Sequence, residues 1–514
     1  MRWYRVLLVL CLVAGALLRA RGFLYSARPF WVDEAAWSVR LLRSNLLEPS
    51  IRPVGFTALI RLLVACFGAR DMVLRLVPWL AGMAAMLVAV PLAEALLPSR
   101  AARLLFVGTI ALHPVAIDYS KEFKPYSCSL FLHLLCALFA ARYLQDRGTR
   151  SLILGILSGF LGIWFAQDLI FALPGYYLVA GAFAWRTARR SHLVTLGVGA
   201  VATIASIILL YFFFWRAVDV GPAGPDTAVW AAKYDVFHRP GTGEGLLHWI
   251  GRKYVDLMTF PAARRESWRG HRLLGATAVG WFSTAYAALW AALHVLGIGV
   301  LVRERRFSAL TLLFSPIVVL LGFGLLGLWP FGVFRTNLFL LAYVSLIAAF
   351  GVGYFKPLAR WEVVPFAVAV ALPLALFERE WHSHKRWAGE SAFFDVTKEL
   401  VAMQGEHAEI EPLVLDHWSC TVFHYYLSFN PDYAKLQRTL AHRFATKCRT
   451  EEDALPEAEH EASERRVWLV LSDPTQSRAA IDQMASLTNV VDYRKLDGGR
   501  NVLLELAPPG WTTQ

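Results

Sequence analysis

The chain has 514 residues, 57% of them hydrophobic and 18% charged, with mean hydropathy +0.46; soluble domains carry about 25% charged residues, which excludes a single water-soluble core. A formal net charge of +12 does not indicate nucleic acid, because the arginines stand in short tracts between apolar runs and no basic face is interleaved with aromatics. Six cysteines are scattered without a CxxC pair or a Cys/His spacing, so neither zinc nor a thioredoxin-like site is indicated.

Apolar runs long enough to cross a bilayer predict about eleven spans. They fall at 6-24, 72-97, 104-118, 126-144, 151-166, 169-185, 193-215, 275-302, 308-329, 336-355 and 362-377, and 104-118 and 151-166 are short. Residues 6-18 follow Arg2 and Arg5 as a signal-peptide core would. No small-residue cleavage site precedes Arg19 and Arg21, so the segment is read as the first span.

Short cytoplasmic loops hold an excess of Lys and Arg. Arg2 and Arg5, Arg100 and Arg103, Arg147 and Arg150, Arg186, Arg189 and Arg190, Arg303, Arg305 and Arg306, then Lys356 and Arg360 all fall on one side of the predicted membrane. The N-terminus is therefore expected in the cytoplasm and the C-terminal region outside. The arginine-rich stretch 25-71 departs from the pattern, as long loops do, since they translocate largely regardless of charge.

The expected fold is a polytopic α-helical membrane protein with a C-terminal extracytoplasmic α/β domain. A transmembrane module covers 1-377, with external loops at 25-71, 119-126, 216-274 and 330-335, and the α/β domain covers 378-514. The first loop holds two amphipathic helix candidates, 34-47 and 54-67, suited to the membrane surface. Loop 216-274 opens on GPAGPD and PGTGEG and then predicts a helix near 245-259. In the tail, LVLDH (413-417), VWLVLS (467-472) and NVLLEL (501-506) read as strands. Cys420 and Cys448 both lie there, where an oxidising compartment would join them and a reducing one would not.

Three places concentrate polar chemistry. WVDEAAW (31-37) sets Asp33 and Glu34 between two tryptophans suited to an interfacial belt. Asp33 would also cap a helix starting at Glu34, and a capping Asp can still serve as a base. HPVAIDYSKEFKPYS (113-127) packs Asp118, Lys121, Glu122 and Lys124 with Tyr119 and Tyr126 into one turn between spans. Those charges either form a site or are simply solvated. In WPFGVFRTN (329-337), Arg335 would grip a phosphate with its bidentate fork or snorkel to lipid headgroups. Gln167 and Asp168, in a tight turn between spans, are a weaker candidate.

The acidic pair after the first span, then RPVGFTALIRLL (52-63) with Arg52, then ARDMVLRLVPWLAGM (69-83), then YSKEFKPYS (119-127) resemble, in that order, bacterial membrane glycosyltransferases of the GT-C fold. The branch is the one containing dolichyl-phosphate-mannose protein mannosyltransferase-like proteins and the aminoarabinose transferase of lipid A. The resemblance covers the first 190 residues or so well, the helices to 377 loosely, and the tail in general character. It implies an integral protein of the bacterial inner membrane that moves a sugar from a polyprenyl-phosphate donor to an extracytoplasmic hydroxyl, on a glycolipid, a polysaccharide or a protein. It places Asp33 at the reaction centre with Glu34 beside it, and Lys121, Glu122, Lys124 and Tyr126 near the donor. Arg335 matches by general placement, and Asp118, Arg52 and Asp168 are secondary candidates. No metal-ligand cluster stands in the chain, which leaves a divalent cation open without residues to hold it. The rival class is a transporter or lipid flippase without covalent chemistry, which would carry ionisable residues or broken helices at mid-membrane.

Overall fold

A computed structural model describes residues 2-21, 23-24, 30, 32-46, 48, 52-216, 245-263, 269-326, 328-331, 336-354, 366-371, 390-402, 411-441, 444-449, 454-471, 490-496 and 501-508. The helices run, in chain order, α1 Arg2–Ala20, α2 Val32–Arg43, α3 Val54–Phe67, α4 Asp71–Leu96, α5 Arg100–Leu112, α6 Pro114–Tyr119, α7 Tyr126–Asp146, α8 Thr149–Gly162, α9 Leu173–Arg186, α10 Arg190–Leu210, α11 Leu246–Ala263, α12 Arg269–Arg303, α13 Phe307–Leu325 and α14 Leu340–Tyr354. The remainder alternates helices and strands: α15 Glu390–Ala402, β1 Glu411–Leu415, α16 His417–Ser428, α17 Ala434–Ala441, β2 Phe444–Cys448, α18 Ala454–Ala462, β3 Val467–Leu471, β4 Val490–Leu496 and β5 Asn501–Leu506. Two compact units result, one of residues 1-25, 46-59 and 75-381, the other of 26-45, 60-74 and 382-514.

The first unit is a helical bundle, as lipid requires: every backbone group must be satisfied within the span. The chain is a polytopic integral membrane protein. Among the described residues six helices are long and apolar enough to cross: Trp3–Ala20, Asp71–Leu96, Tyr126–Asp146, Arg190–Trp215, Thr284–Arg303 and Phe307–Leu325. Shorter apolar helices are Val54–Phe67, Thr149–Gly162 and Leu340–Gly353. Two of the predicted spans, 104-118 and 336-355, are not continuous helices, whereas 151-166 and 169-185 are separate helices as expected. The span read at 104-118 is α5 and α6, interrupted at Pro114, which has no N–H to continue the helix. The spans read at 151-166 and 169-185 are α8 and α9, separated by the 3-10 turn Gln167–Phe171. The span read at 336-355 starts as a turn and becomes helical only at Leu340, and that at 362-377 lies largely outside the described residues. Where α12 and α14 cross, Gly297 lies against the Ile347 carbonyl and Gly351 against the Leu293 carbonyl, so a side chain at either would collide with backbone. Such small-residue crossings let transmembrane helices pack closely.

The basic turns meet at one end of this bundle. Arg306 donates to Leu96 O (3.1 Å), Gln145 to Ala95 O (2.5 Å), Arg103 to Leu97 O (2.8 Å), and Arg189 to Arg147 O. Arg147, Ala188 and Arg305 all take positive φ there, as tight helix-to-helix reversals demand.

The second unit is built on a five-stranded sheet in the order β2-β1-β3-β5-β4. β1 pairs in parallel with β2 and β3, whereas β5 is antiparallel to β3 and β4. Val414, Leu469 and Leu504 meet Leu455 and Ala458 of α18 in its core. The strand read at 413-417 ends at Leu415, because Asp416 turns away to cap α16 by accepting the Ser419 N–H at 2.7 Å. The helix predicted at 245-259, which belongs to the first unit, is the longer α11. Its preceding loop motifs lie outside the described residues.

Cys420 and Cys448 form a disulfide, Cα to Cα 5.5 Å, joining α16 to β2 across 28 residues. Closing a loop of that length stabilises by about 3 to 4 kcal/mol in the chain-entropy description. The purified chain should therefore show two fewer labelled thiols before reduction than after. Reduction should lower the thermal midpoint of the tail, and equal labelling in both states would contradict the pairing.

On the same sheet edge Lys447 binds Glu461 and lies 3.5 Å from Glu457, Arg449 reaches Glu457 at 2.7 Å, and Arg465 reaches Glu461 at 2.5 Å. The hydrogen bond from Lys447 holds the Glu461 carboxyl below 4.5, and that from Arg449 does the same for Glu457. Depressed carboxyl values mean stability that is complete above 4.5 and lost as pH falls further. Lys447→Met should thus lower the tail's melting temperature at pH 7 slightly, as exposed pairs do. That difference should shrink as pH falls below the ordinary carboxylate range and vanish once both carboxyls are protonated in the folded chain, and one that persisted in strong acid would contradict an electrostatic origin.

Candidate functional site

The predicted site residues divide between the two units. In the second unit α2 starts at Val32, not at Glu34, so both acids stand in its first turn and Asp33 is not the residue before the helix. Carboxylates there are favoured by the helix dipole. Glu34 is buried, at 1% exposure, and Asp33 is half-buried. Ser38 Oγ donates to Glu34 O at 2.8 Å, one turn along. Of the two acids, Asp33 is the more exposed.

In the first unit the turn after α6 is not solvated. Asp118, Lys121, Glu122 and Lys124 are each no more than 3% exposed. The bland reading of surface charges therefore fails. Buried ions cost several kcal/mol each unless paired and hydrogen-bonded, and here two acids and two lysines balance formally. The backbone is tightly wound, with Lys121 N–H to Asp118 O at 2.9 Å and Lys124 N–H to Glu122 O at 2.7 Å. Lys121 Nζ reaches Leu18 O at 3.4 Å, and Tyr126 meets Tyr119 edge-on at 5.0 Å. Because α7 runs 21 residues from Tyr126 to Asp146, this turn lies about 30 Å from the basic end of the bundle.

Neighbouring segments converge on that turn. Phe56 stacks on Phe123 at 5.9 Å, and the Gly55 N–H donates to Trp164 O at 2.7 Å. A Cβ at Gly55 would stand 2.9 Å from that carbonyl, so the close approach needs glycine. The start of α3, with buried Arg52 just before it, thus meets both the charged turn and the segment leading to Asp168. Asp168 Oδ2 accepts from Ser129 Oγ at 2.5 Å, and Oδ1 lies 3.7 Å from His133 Nε2, whose Nδ1 contacts Tyr343 OH at 2.9 Å. The Asp168 turn is therefore pinned to α7. Arg335 lies outside the described residues, while Asn337 is buried, accepts from Trp329 Nε1 at 2.9 Å and donates to Pro330 O at 2.7 Å.

Among the described residues, sequence reasoning missed the buried cations Arg19, Arg75 and Lys253. The role of Arg19 is plain: its guanidinium donates to Ile110 O (3.0 Å), Ala111 O (2.5 Å) and Gly15 O (3.1 Å). Ile110 O would ordinarily accept from residue 114, which is proline, so Arg19 satisfies the carbonyls that the α5/α6 break exposes. An arginine inside a predicted span, ahead of a proline-broken helix, was the available signal. Among the described residues no group of three or more His, Cys, Asp or Glu could hold a metal ion.

No protein-family model and no curated protein matches the chain. Among solved structures, the chain is similar over most of its length to the following. ArnT from Cupriavidus metallidurans, bound to undecaprenyl phosphate, is 12% identical over 98% of this chain and 99% of its own, with a TM-score of 0.48. The apo state of that protein gives 14% identity and a TM-score of 0.39 over the same shares. The apo oligosaccharyltransferase of Archaeoglobus fulgidus is 12% identical over 93% of this chain and 71% of its own, with a TM-score of 0.44.

Proposed function

We propose that the chain is a glycosyltransferase that moves a sugar from a polyprenyl-phosphate donor to an acceptor hydroxyl outside the cytoplasm. The observation that carries this reading is the burial of Asp118, Lys121, Glu122 and Lys124 within seven residues at the end of the bundle away from the basic turns. Buried ionisable groups are expensive unless paired, and a cluster of them at one turn of a membrane protein marks a candidate site. A long isoprenoid, at about 0.8 kcal/mol per buried CH₂, stays in the bilayer, so its headgroup must be met at the membrane. About eleven spans would put the basic end in the cytoplasm and the tail outside, by the positive-inside rule. The module 1-377 carries the chemistry and 378-514 serves the acceptor.

In this mechanism Asp33 takes the proton of the acceptor hydroxyl as its oxygen attacks the anomeric carbon. The bond from that carbon to the phosphate oxygen breaks, with inversion, and the electron pair leaves on polyprenyl phosphate. Lys124, with Lys121 and Arg335, stabilises that developing charge, so no acid is needed. Glu122 balances the lysines, Tyr126 and Arg52 flank the headgroup, and Asp168 holds the neighbouring turn. Glu34, being buried, supports α2. The acceptor is a glycolipid, a polysaccharide or a protein.

A transporter or flippase is the rival reading. Isolated membranes enriched in the chain should convert added polyprenyl-phosphate sugar to a covalent product. Movement of the donor across sealed vesicles without any product would establish the rival instead.

A further inference from the structure

We infer that Tyr426, in the C-terminal domain, is a positioning residue for Asp33, holding the lead-in to α2 through its hydroxyl. The inference rests on the assignment of Asp33 as the base and gives the tail a part in catalysis beyond receiving the acceptor.

Tyr426 lies on α16 and is fully buried. Its hydroxyl accepts the Phe30 N–H at 2.6 Å and donates to Asp71 Oδ2 at 2.8 Å. Donor and acceptor capacity are thus both used. Phe30 stands just before α2 and three residues ahead of Asp33. Its buried ring stacks on Tyr425 at 4.7 Å, so α16 holds that residue by backbone and by side chain. Asp71, the first residue of α4, is the fixed point: Tyr425 OH lies 2.8 Å and Asn430 Nδ2 3.0 Å from its Oδ1. Bonds to an ionised acceptor are about twice as strong as neutral ones.

The far end of α2 is held as well. Arg61 donates to Leu41 O at 2.8 Å and to Ser44, and the Arg43 guanidinium sits 5.9 Å over the Phe429 ring. A short helix fixed at both ends has little freedom to shift, and Asp33 moves with it. Packing alone does not require the hydroxyl, since the Tyr426 ring stacks on Phe393 at 4.6 Å whether or not an oxygen is present. The hydroxyl adds a hold on the backbone that leads to the base.

Catalytic groups misplaced by 1 Å cost about a hundredfold in rate. Tyr426→Phe in the full-length protein should therefore lower kcat about ten- to a hundredfold. KM for the donor should stay unchanged, because Tyr426 touches no substrate. The test combines kinetics, using the active member of a panel of polyprenyl-phosphate monosaccharides, with amide hydrogen exchange. Exchange should quicken in residues 30-37 and stay unchanged in β3. Normal exchange at 30-37, or a normal kcat, would overturn the inference, as would a raised KM with kcat preserved. If Tyr426→Phe fails to accumulate, Asp71→Asn keeps the shape, weakens the charge-assisted bond and is read by the same two measurements. Asp33→Asn is run alongside: if it transfers sugar at the wild-type rate, the base assignment fails, and the exchange data still decide whether the hydroxyl holds α2.

Discussion

Asp33→Asn is expected to cut sugar transfer by a factor of about 10² to 10⁴, the usual worth of a positioned general base, while the protein accumulates and folds normally. An acceptor hydroxyl is a weak nucleophile, and its proton must leave as the new bond forms. Asn keeps the shape of Asp and the capacity to accept a hydrogen bond but cannot take that proton. Because Asp33 is half-buried in the first turn of α2, its replacement exposes no core and leaves the helix with Glu34 still in place. The loss should therefore appear in kcat, with KM for the donor little changed. Glu34→Gln should behave differently: the residue is buried, and its effect should fall on stability. Full activity in Asp33→Asn, or a loss explained by absence of the protein, would remove the base from the mechanism.

Lys124→Met is expected to do two separable kinds of damage. The buried turn holds two acids and two lysines, so removing one lysine leaves a net buried negative charge, and breaking such a balance costs about 3 to 5 kcal/mol. Removing the cation that stabilises the leaving phosphate costs roughly a further 10² to 10³ in kcat. The double change Lys124→Met with Glu122→Gln restores formal neutrality. It should recover accumulation and thermal stability but not transfer. If the double variant recovered transfer as well, Lys124 would be structural, and the donor phosphate would have to be met elsewhere.

The bundle was readable because lipid imposes one simple rule, a long apolar run per crossing, and α4, α7, α10 and α13 follow it. Breaks within spans were harder to see. Pro114 ends α5 because its missing N–H is replaced by Arg19, some ninety residues away in sequence, and only a folded chain shows that exchange. The inner strands β1, β3 and β5 announced themselves as apolar runs. β2 and β4 did not, because they are edge strands carrying Lys447, Asp492 and Arg494, as edges that resist aggregation do.

The candidate site was legible as a set of residue types and not as an environment. Spacing showed Asp118, Lys121, Glu122 and Lys124 together, but no local signal distinguishes a solvated turn from one closed off by α1 and α3. The contacts of Asp71 with Tyr425 and Tyr426 span more than 350 residues, which places them beyond any periodicity argument.

The most direct test supplies purified full-length protein with polyprenyl-phosphate monosaccharides labelled in the sugar, together with candidate glycolipid, polysaccharide and protein acceptors, and weighs every product by mass spectrometry. One donor should release free polyprenyl phosphate in equal amount to a glycosylated acceptor, with the anomeric configuration inverted. Intact donor with every acceptor, or a product retaining the donor's configuration, would contradict the account.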